Sequence, residues 1–267
     1  MPFSGGYGGP KEIHYLFIDG GCLRDTLAKA ADKWFAGCSI DVDYEQLTRG
    51  FTKTFYYDCL PPQKRDERKA DYDKRIQPNL DFFNHLRGLR GVHVFVGDTR
   101  HRRGQPIQKQ VDVKIAVDML TFSSRRIMHQ STLLTGDLDF KPLLDALVAD
   151  GTFVNLWYPR GTTNLELVYA ADASRPLDIR VIYEFTSRQF RDKFSIPDAY
   201  GREGKGISDY RLEGTWRSGS EAEVEVCRGS DSYLLVFPDK ANPGYFTHVK
   251  FGDLELLKAY VEEVHFG

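Results

Sequence analysis

The sequence predicts an α/β domain built on a parallel, three-layer sheet, followed by a small α+β domain. Strand-like and helix-like segments alternate from residue 13 to 185, the pattern of a parallel sheet with helices on its faces. Ser131 to Pro159 reads as one complete strand, turn, helix, strand unit. Beyond residue 208, short strand-like runs recur between turn residues and end in a helical segment, the signature of a separate small sheet.

Taken in order, His14 to Ile18 (HYLFI) is an aromatic and aliphatic run that stops at Asp19-Gly20-Gly21, so a first strand carries an acid at its tip. Asp-Gly is also a common turn pair. A helix is expected from about Leu23 to Phe35, and Phe51 to Tyr57 reads as a second strand. The mixed-charge run Lys64 to Arg75 reads as a solvated helix face or loop, and Pro78 fits the first turn of a helix with Leu80, Phe83 and Leu86 on one face,. Val92 to Val96 is a third strand, in which His93 reads as a satisfied core residue. Gly97 to Gln110 is polar and rich in Gly and Pro, hence a loop,. Val111 to Phe122 has helical spacing, with Val113, Ala116, Val117 and Leu120 grouped as its apolar side and Asp112 at its start. Asp118 can pair with Lys114 one turn away,.

Thr132 to Leu134 is short, apolar and broken at Gly136, as a strand buried on both faces would be,. Phe140, Leu143, Leu144, Leu147 and Val148 recur at helical steps, Gly151 is a C′ stop, and Phe153 to Trp157 is the next strand,. Asn164 to Ala171 reads as a short helix and Ile179 to Phe185 as a last strand. The expected organisation is therefore a tail over 1–12, the main domain over 13–185, a linker over 186–208 and an α+β accessory domain over 209–267.

The formal net charge of −2 carries no global polyanion signature, so such a partner must be drawn by a local patch or by metal. Cys22, Cys38, Cys59 and Cys227 are widely spaced, with no CxxC pair, which argues against a zinc cluster and suits reduced thiols in the cytoplasm. No apolar run approaches the roughly 20 residues a bilayer requires, so no membrane association is expected. The N-terminus lacks an apolar core and reads as neither signal peptide nor anchor,.

Four carboxylates, Asp19, Asp112, Asp137 and Asp139, fall at strand ends or at the start of the helix after one. In open α/β sheets those positions share one crevice, and that is where ligands bind. Crowded acids repel one another unless a cation neutralises them, and all-oxygen ligation suits Mg²⁺ or Mn²⁺. Arg100, Arg102, Arg103 and Lys109 concentrate positive charge in the Gly97 to Gln110 loop, as phosphate contacts require. Asp112 also suits an N-cap and Asp139 a helix cap, whereas Asp137 has no such simple alternative.

Three segments, FIDGGCL (Phe17 to Leu23), KQVDVKIAVDML (Lys109 to Leu120) and LLTGDLDFKPLLDALVADG (Leu133 to Gly151), resemble the NYN domain family of the PIN-like nuclease superfamily, of the LabA-like kind. The family usually has Asn where this chain has Cys22, and commonly Ser where it has Thr135. The resemblance implies a Rossmann-like PIN fold, divalent metal at Asp19, Asp112, Asp137 and Asp139, and hydrolysis of single-stranded or looped RNA. Its runner-up is a non-catalytic PIN-like module that binds RNA or protein, the C-terminal domain contacting a protein partner. A haloacid-dehalogenase-type phosphatase fits poorly, because Gly21 stands where its second aspartate belongs.

Overall fold

The computed structural model describes residues 12–97, 101–102, 105–106 and 109–266, with only the backbone of 101, 102, 105, 106 and 109. The chain divides into two compact units, Met1–Lys29 with Val42–Leu177, and Ala30–Asp41 with Asp178–Gly267.

The first unit holds β1 (His14–Asp19), the part of α1 (Gly20–Trp34) up to Lys29, α2 (Tyr44–Thr48), β2 (Lys53–Cys59), α3 (Lys69–Gly88) and β3 (Val92–Gly97). Two short strands, β4 (His101–Arg102) and β5 (Gln105–Pro106), then pair within the segment expected to be a loop. They are followed by α4 (Lys109–Ser124), β6 (Gln130–Leu134), α5 (Lys141–Ala149), β7 (Phe153–Pro159), α6 (Leu165–Tyr169) and β8 (Ala173–Leu177). Six strands form one sheet in the order β3-β2-β1-β6-β7-β8, every pair parallel. The α/β fold expected from the alternation is therefore the one observed. From β1 the chain winds to one edge, and from β6 to the other. The switch point lies between β1 and β6, where side chains at the strand ends border an open crevice.

Burial explains why β1 and β6 are central. Leu16, Phe17, Ile18, Leu133 and Leu134 are all buried, so neither strand has a polar face to turn to water. Phe17 stacks on Phe55 and Tyr57 of β2, and Val111, Ile115 and Met119 of α4 join the same core.

Several local expectations change. The wet and dry sides of α4 are exchanged: Val113, Val117 and Leu120 are exposed, while the stripe Val111, Ile115, Met119 is buried. Both stripes have helical spacing, and only the neighbouring core chooses between them. Helix α3 begins at Lys69 and carries Pro78 in its interior. A proline there sacrifices one helical hydrogen bond, while Ile76, two residues before it, is buried together with Phe83 and Leu86. His93 is exposed rather than buried, and stacks on Phe55. The expected last strand, Ile179 to Phe185, is the helix α7 (Ile179–Glu184), capped by the Asp178 carboxylate accepting from the Val181 N–H. The sheet's sixth strand is instead β8, whose Pro176 suits an edge position,.

In the second unit, α7, α8 (Arg188–Lys193) and β9 (Asp198–Glu203) come first. The segment 186–208, expected to be a linker, therefore contains a helix and a strand. The strands β10 (Arg211–Arg217), β11 (Glu223–Arg228), β12 (Tyr233–Pro238) and β13 (Tyr245–Phe251) and the helix α9 (Leu254–Val261) complete it. Its antiparallel sheet has the order β10-β11-β12-β13-β9, and α9 packs on β12 and β13. Among the described residues no helix is long and apolar enough to cross a membrane.

Candidate active site at the sheet switch point

Asp19 ends β1, and its two oxygens serve two elements. Oδ1 accepts from the Cys22 N–H (3.1 Å), capping the first turn of α1, and Oδ2 accepts from the Thr135 hydroxyl (3.1 Å) just beyond β6. The carboxylate thus ties together the two strands of the switch point. Burial pushes its pKa up, hydrogen bonds from Cys22, Thr135 and Gly21 oppose that, and the charge of Asp58 adds to it.

Asp137 and Asp139 follow in the exposed turn after β6. Here the capping expectation reverses. The Asp137 carboxylate accepts from the Asp139 N–H (3.0 Å) and caps the short 3₁₀ turn Leu138–Phe140, whereas α5 has no side-chain cap. Asp137 is the acid with a structural duty at that turn. The turn cannot widen: a Cβ on Gly136 would lie 2.9 Å from the Thr163 hydroxyl and 3.1 Å from Pro159.

Asp112 comes from the first turn of α4. Its carboxyl is raised above the ordinary value by burial and by the charges of Asp19, Asp137 and Asp139. Asp112 therefore lies within electrostatic reach of the other three predicted acids, although the four come from three separate stretches of chain. Among the described residues no three His, Cys, Asp or Glu side chains are grouped closely enough to enclose an ion. Asp118 lies apart, accepting from the Tyr57 hydroxyl (2.9 Å) and from Lys114 (2.5 Å). Arg100 and Arg103 lie outside the described residues, as do the side chains of Arg102 and Lys109.

An open cleft of about 380 Å³ lies beside Asp19 and Asp137 and is lined also by Cys22, Arg24, Lys29 and Thr162, while Asp112 and Asp139 stand outside its lining. Two residues with no motif to announce them shape it. Asp58, near the end of β2, is 2% exposed and contacts Arg24 of α1. It also accepts from the Cys59 N–H (2.7 Å) and the Tyr56 hydroxyl (3.3 Å). The only sequence signal for Asp58 was an acid directly after the expected strand Phe51 to Tyr57, with no motif around it.

Cys22 stands where the resemblance read from the sequence leads one to expect an asparagine. Burial and the charge of Asp19 push its thiol up to about 12, against hydrogen bonds from the Gly136 N–H and Thr26. The side chain is thus a neutral thiol at physiological pH. In metal-free protein, iodoacetamide at mildly alkaline pH is expected to label Cys22 roughly a thousandfold more slowly than in the urea-unfolded chain,. Peptide mapping after timed quenching measures this, and equal rates would contradict it.

The chain is similar to the solved structure of a protein of unknown function from Vibrio parahaemolyticus, with 17% sequence identity and a TM-score of 0.47, the alignment covering 66% of this chain and 96% of that one. No curated protein matches. The model of the NYN domain matches residues 31–178, more than half of the chain. That span holds Asp58, Asp112, Asp137 and Asp139, and it starts after Asp19 and Cys22, which the sheet brings back beside it through the pairing of β1 with β6. The chain belongs to the NYN domain family, a family of PIN-like nucleases.

Proposed function

We propose that the protein is a metal-dependent ribonuclease that hydrolyses single-stranded or looped RNA at the cleft, with Asp19, Asp112, Asp137 and Asp139 as its acids. The observation that carries this reading is the convergence on Asp112, whose carboxyl is raised by burial and, beyond that, by the charges of the other three. Such mutual repulsion is what a bound cation relieves. PIN-like nucleases of this family typically use divalent metals. The donor set fits Mg²⁺ or Mn²⁺, because Mg²⁺ is commonly held by one or two carboxylates and keeps several waters, so a closed cage of side chains is not required. When bound, the ion would supply neutralisation of the scissile phosphate and acidification of the attacking water.

The chain's own residues do the positioning. The Cys22 N–H and the Thr135 hydroxyl fix both oxygens of Asp19, and Asp137 is held by its bond to the Asp139 N–H. Arg100, Arg102, Arg103 and Lys109 carry the flanking phosphates, a role that rests on their charge and their place in sequence just before and at the start of α4,. The free cysteines support a reducing, cytoplasmic setting,. The C-terminal unit is assigned to partner selection.

The test is incubation of the purified full chain with labelled single-stranded RNA in Mn²⁺ or EDTA, alongside Asp137→Asn. Asparagine is also a good cap, so the turn should survive. Cleavage is expected only with metal, and the variant should lose roughly 100-fold or more, the upper end of what even outer-shell changes cost. Equal cleavage by the variant would place the activity elsewhere or in a contaminant. The second reading, a module that binds RNA or protein without cutting, is favoured by the neutral thiol at Cys22 and by the ungrouped acids. Binding without cleavage across varied RNAs would select it.

A further inference from the structure

We infer that Arg24 is the phosphate-binding residue of the cleft, held in place by the buried carboxylate of Asp58. An RNA backbone entering beside Asp19, Asp25 and Asp137 meets negative charge, and a cation in the same cleft must offset it. Arg24 and Lys29 line that cleft. Arg24 is the one with a built anchor. Its Nη1 donates to Asp58 Oδ2, and Asp58 is itself fixed by the Cys59 N–H and the Tyr56 hydroxyl.

The anchor is buried and the cation is not. The side chain of Asp58 is 2% exposed, while that of Arg24 is 48% exposed. A guanidinium has five N–H donors in a planar fork, and a single one is used within the described residues. The others remain for a ligand. A pair serving packing alone would have no need to hold the guanidinium at the cleft wall. An arginine whose orientation is set from behind loses little further entropy when it grips a phosphate, and its fork offers two parallel bonds to phosphate oxygens. Gly20 belongs to the same device. A Cβ there would lie 2.7 Å from both Asp58 Oδ2 and the Tyr56 hydroxyl, so the first residue of α1 must be glycine for the Asp58 network to form as it does.

The ribonuclease reading supplies only the identity of the polyanion, and the experiment separates the two. Fluorescence anisotropy of a short labelled single-stranded RNA, in EDTA, reports binding by the full chain with cleavage switched off. Arg24→Ala is expected to weaken binding roughly tenfold and to lower the slope of log K against log salt by about one. Arg24→Lys retains the charge and a partner for Asp58, so it guards against simple misfolding. It should keep the wild-type slope and still lose several-fold in affinity for want of the fork. Arg87→Ala removes an equal charge from the surface of α3, where Arg87 bonds only to Asn84 within the described residues, and should bind within about twofold of wild type.

Wild-type affinity and slope in both Arg24 variants would overturn the inference, as would an equal loss in Arg87→Ala or a wild-type protein that binds no RNA. Tight, Arg24-dependent binding without any cleavage in Mn²⁺ would instead overturn the ribonuclease reading and leave Arg24 in its role.

Discussion

In EDTA, Asp112→Asn is expected to melt at a higher temperature than the wild-type protein, and Mn²⁺ should then raise the wild-type melting temperature far more than the variant's. The folded pKa of Asp112 is raised by burial and by Asp19, Asp137 and Asp139. A raised carboxylate binds its proton more tightly in the folded than in the unfolded chain. Its contribution to stability is therefore greatest below the ordinary value of 3.8 and falls as pH rises from there through the raised folded value,. At neutral pH the ionised group opposes folding, and the neutral amide removes that opposition. The dipole of α4 favours an acid in its first turn by only about 0.3–1 kcal/mol, which limits the gain without reversing it. A ligand at 100 times its Kd stabilises a fold by about 2.7 kcal/mol, so the Mn²⁺ effect is the larger of the two. Differential scanning fluorimetry in EDTA and in Mn²⁺ measures both. Equal Mn²⁺ shifts in the two proteins would remove Asp112 from the proposed metal site.

Gly20→Ala should destabilise the protein by about 3 kcal/mol, in spite of alanine's better helix propensity. The new Cβ would lie 2.7 Å from Asp58 Oδ2 and from the Cζ and hydroxyl of Tyr56. Neither neighbour can yield cheaply, since Asp58 is 2% and Tyr56 1% exposed. Moving Asp58 also loosens its contact with Arg24, whose half-exposed side chain makes that loss a small addition to the collision,. Propensity contributes at most about 1 kcal/mol in the other direction, so the collision wins. Gly88→Ala is the matched control, because nothing lies within 4 Å of a Cβ at that last position of α3. It should be neutral or stabilising by a few tenths to about 1 kcal/mol. Urea denaturation of the three proteins measures the differences, and a Gly20→Ala protein as stable as wild type would refute the tight fit around Asp58.

Much of the first unit was legible in the sequence because its signals are local. The apolar runs of β1 and β6 end at turn residues, and the acids that follow are fixed by chain continuity alone. The NYN resemblance rested on the same short stretches, and the family match agrees with it. What misled was also local. IRVIYE is rich in β-branched residues and reads as a strand, until Asp178 caps it as α7. The two stripes of α4 are equally apolar, and nothing within residues 109–124 says which faces β1 and β2.

The sequence by itself determined where strand gives way to turn and helix, and which aspartates stand at those junctions, since hydrophobic period and turn chemistry act over a few residues. Only the tertiary structure decided that β1 lies beside β6, joining Asp19 to Thr135, and that α4 turns Val111 inward while its first turn brings Asp112 towards the other acids. It also decided that Asp58 and Arg24, 34 residues apart, meet at the cleft wall. Those facts depend on which strands pair and which faces are buried, and burial is a property of the whole chain.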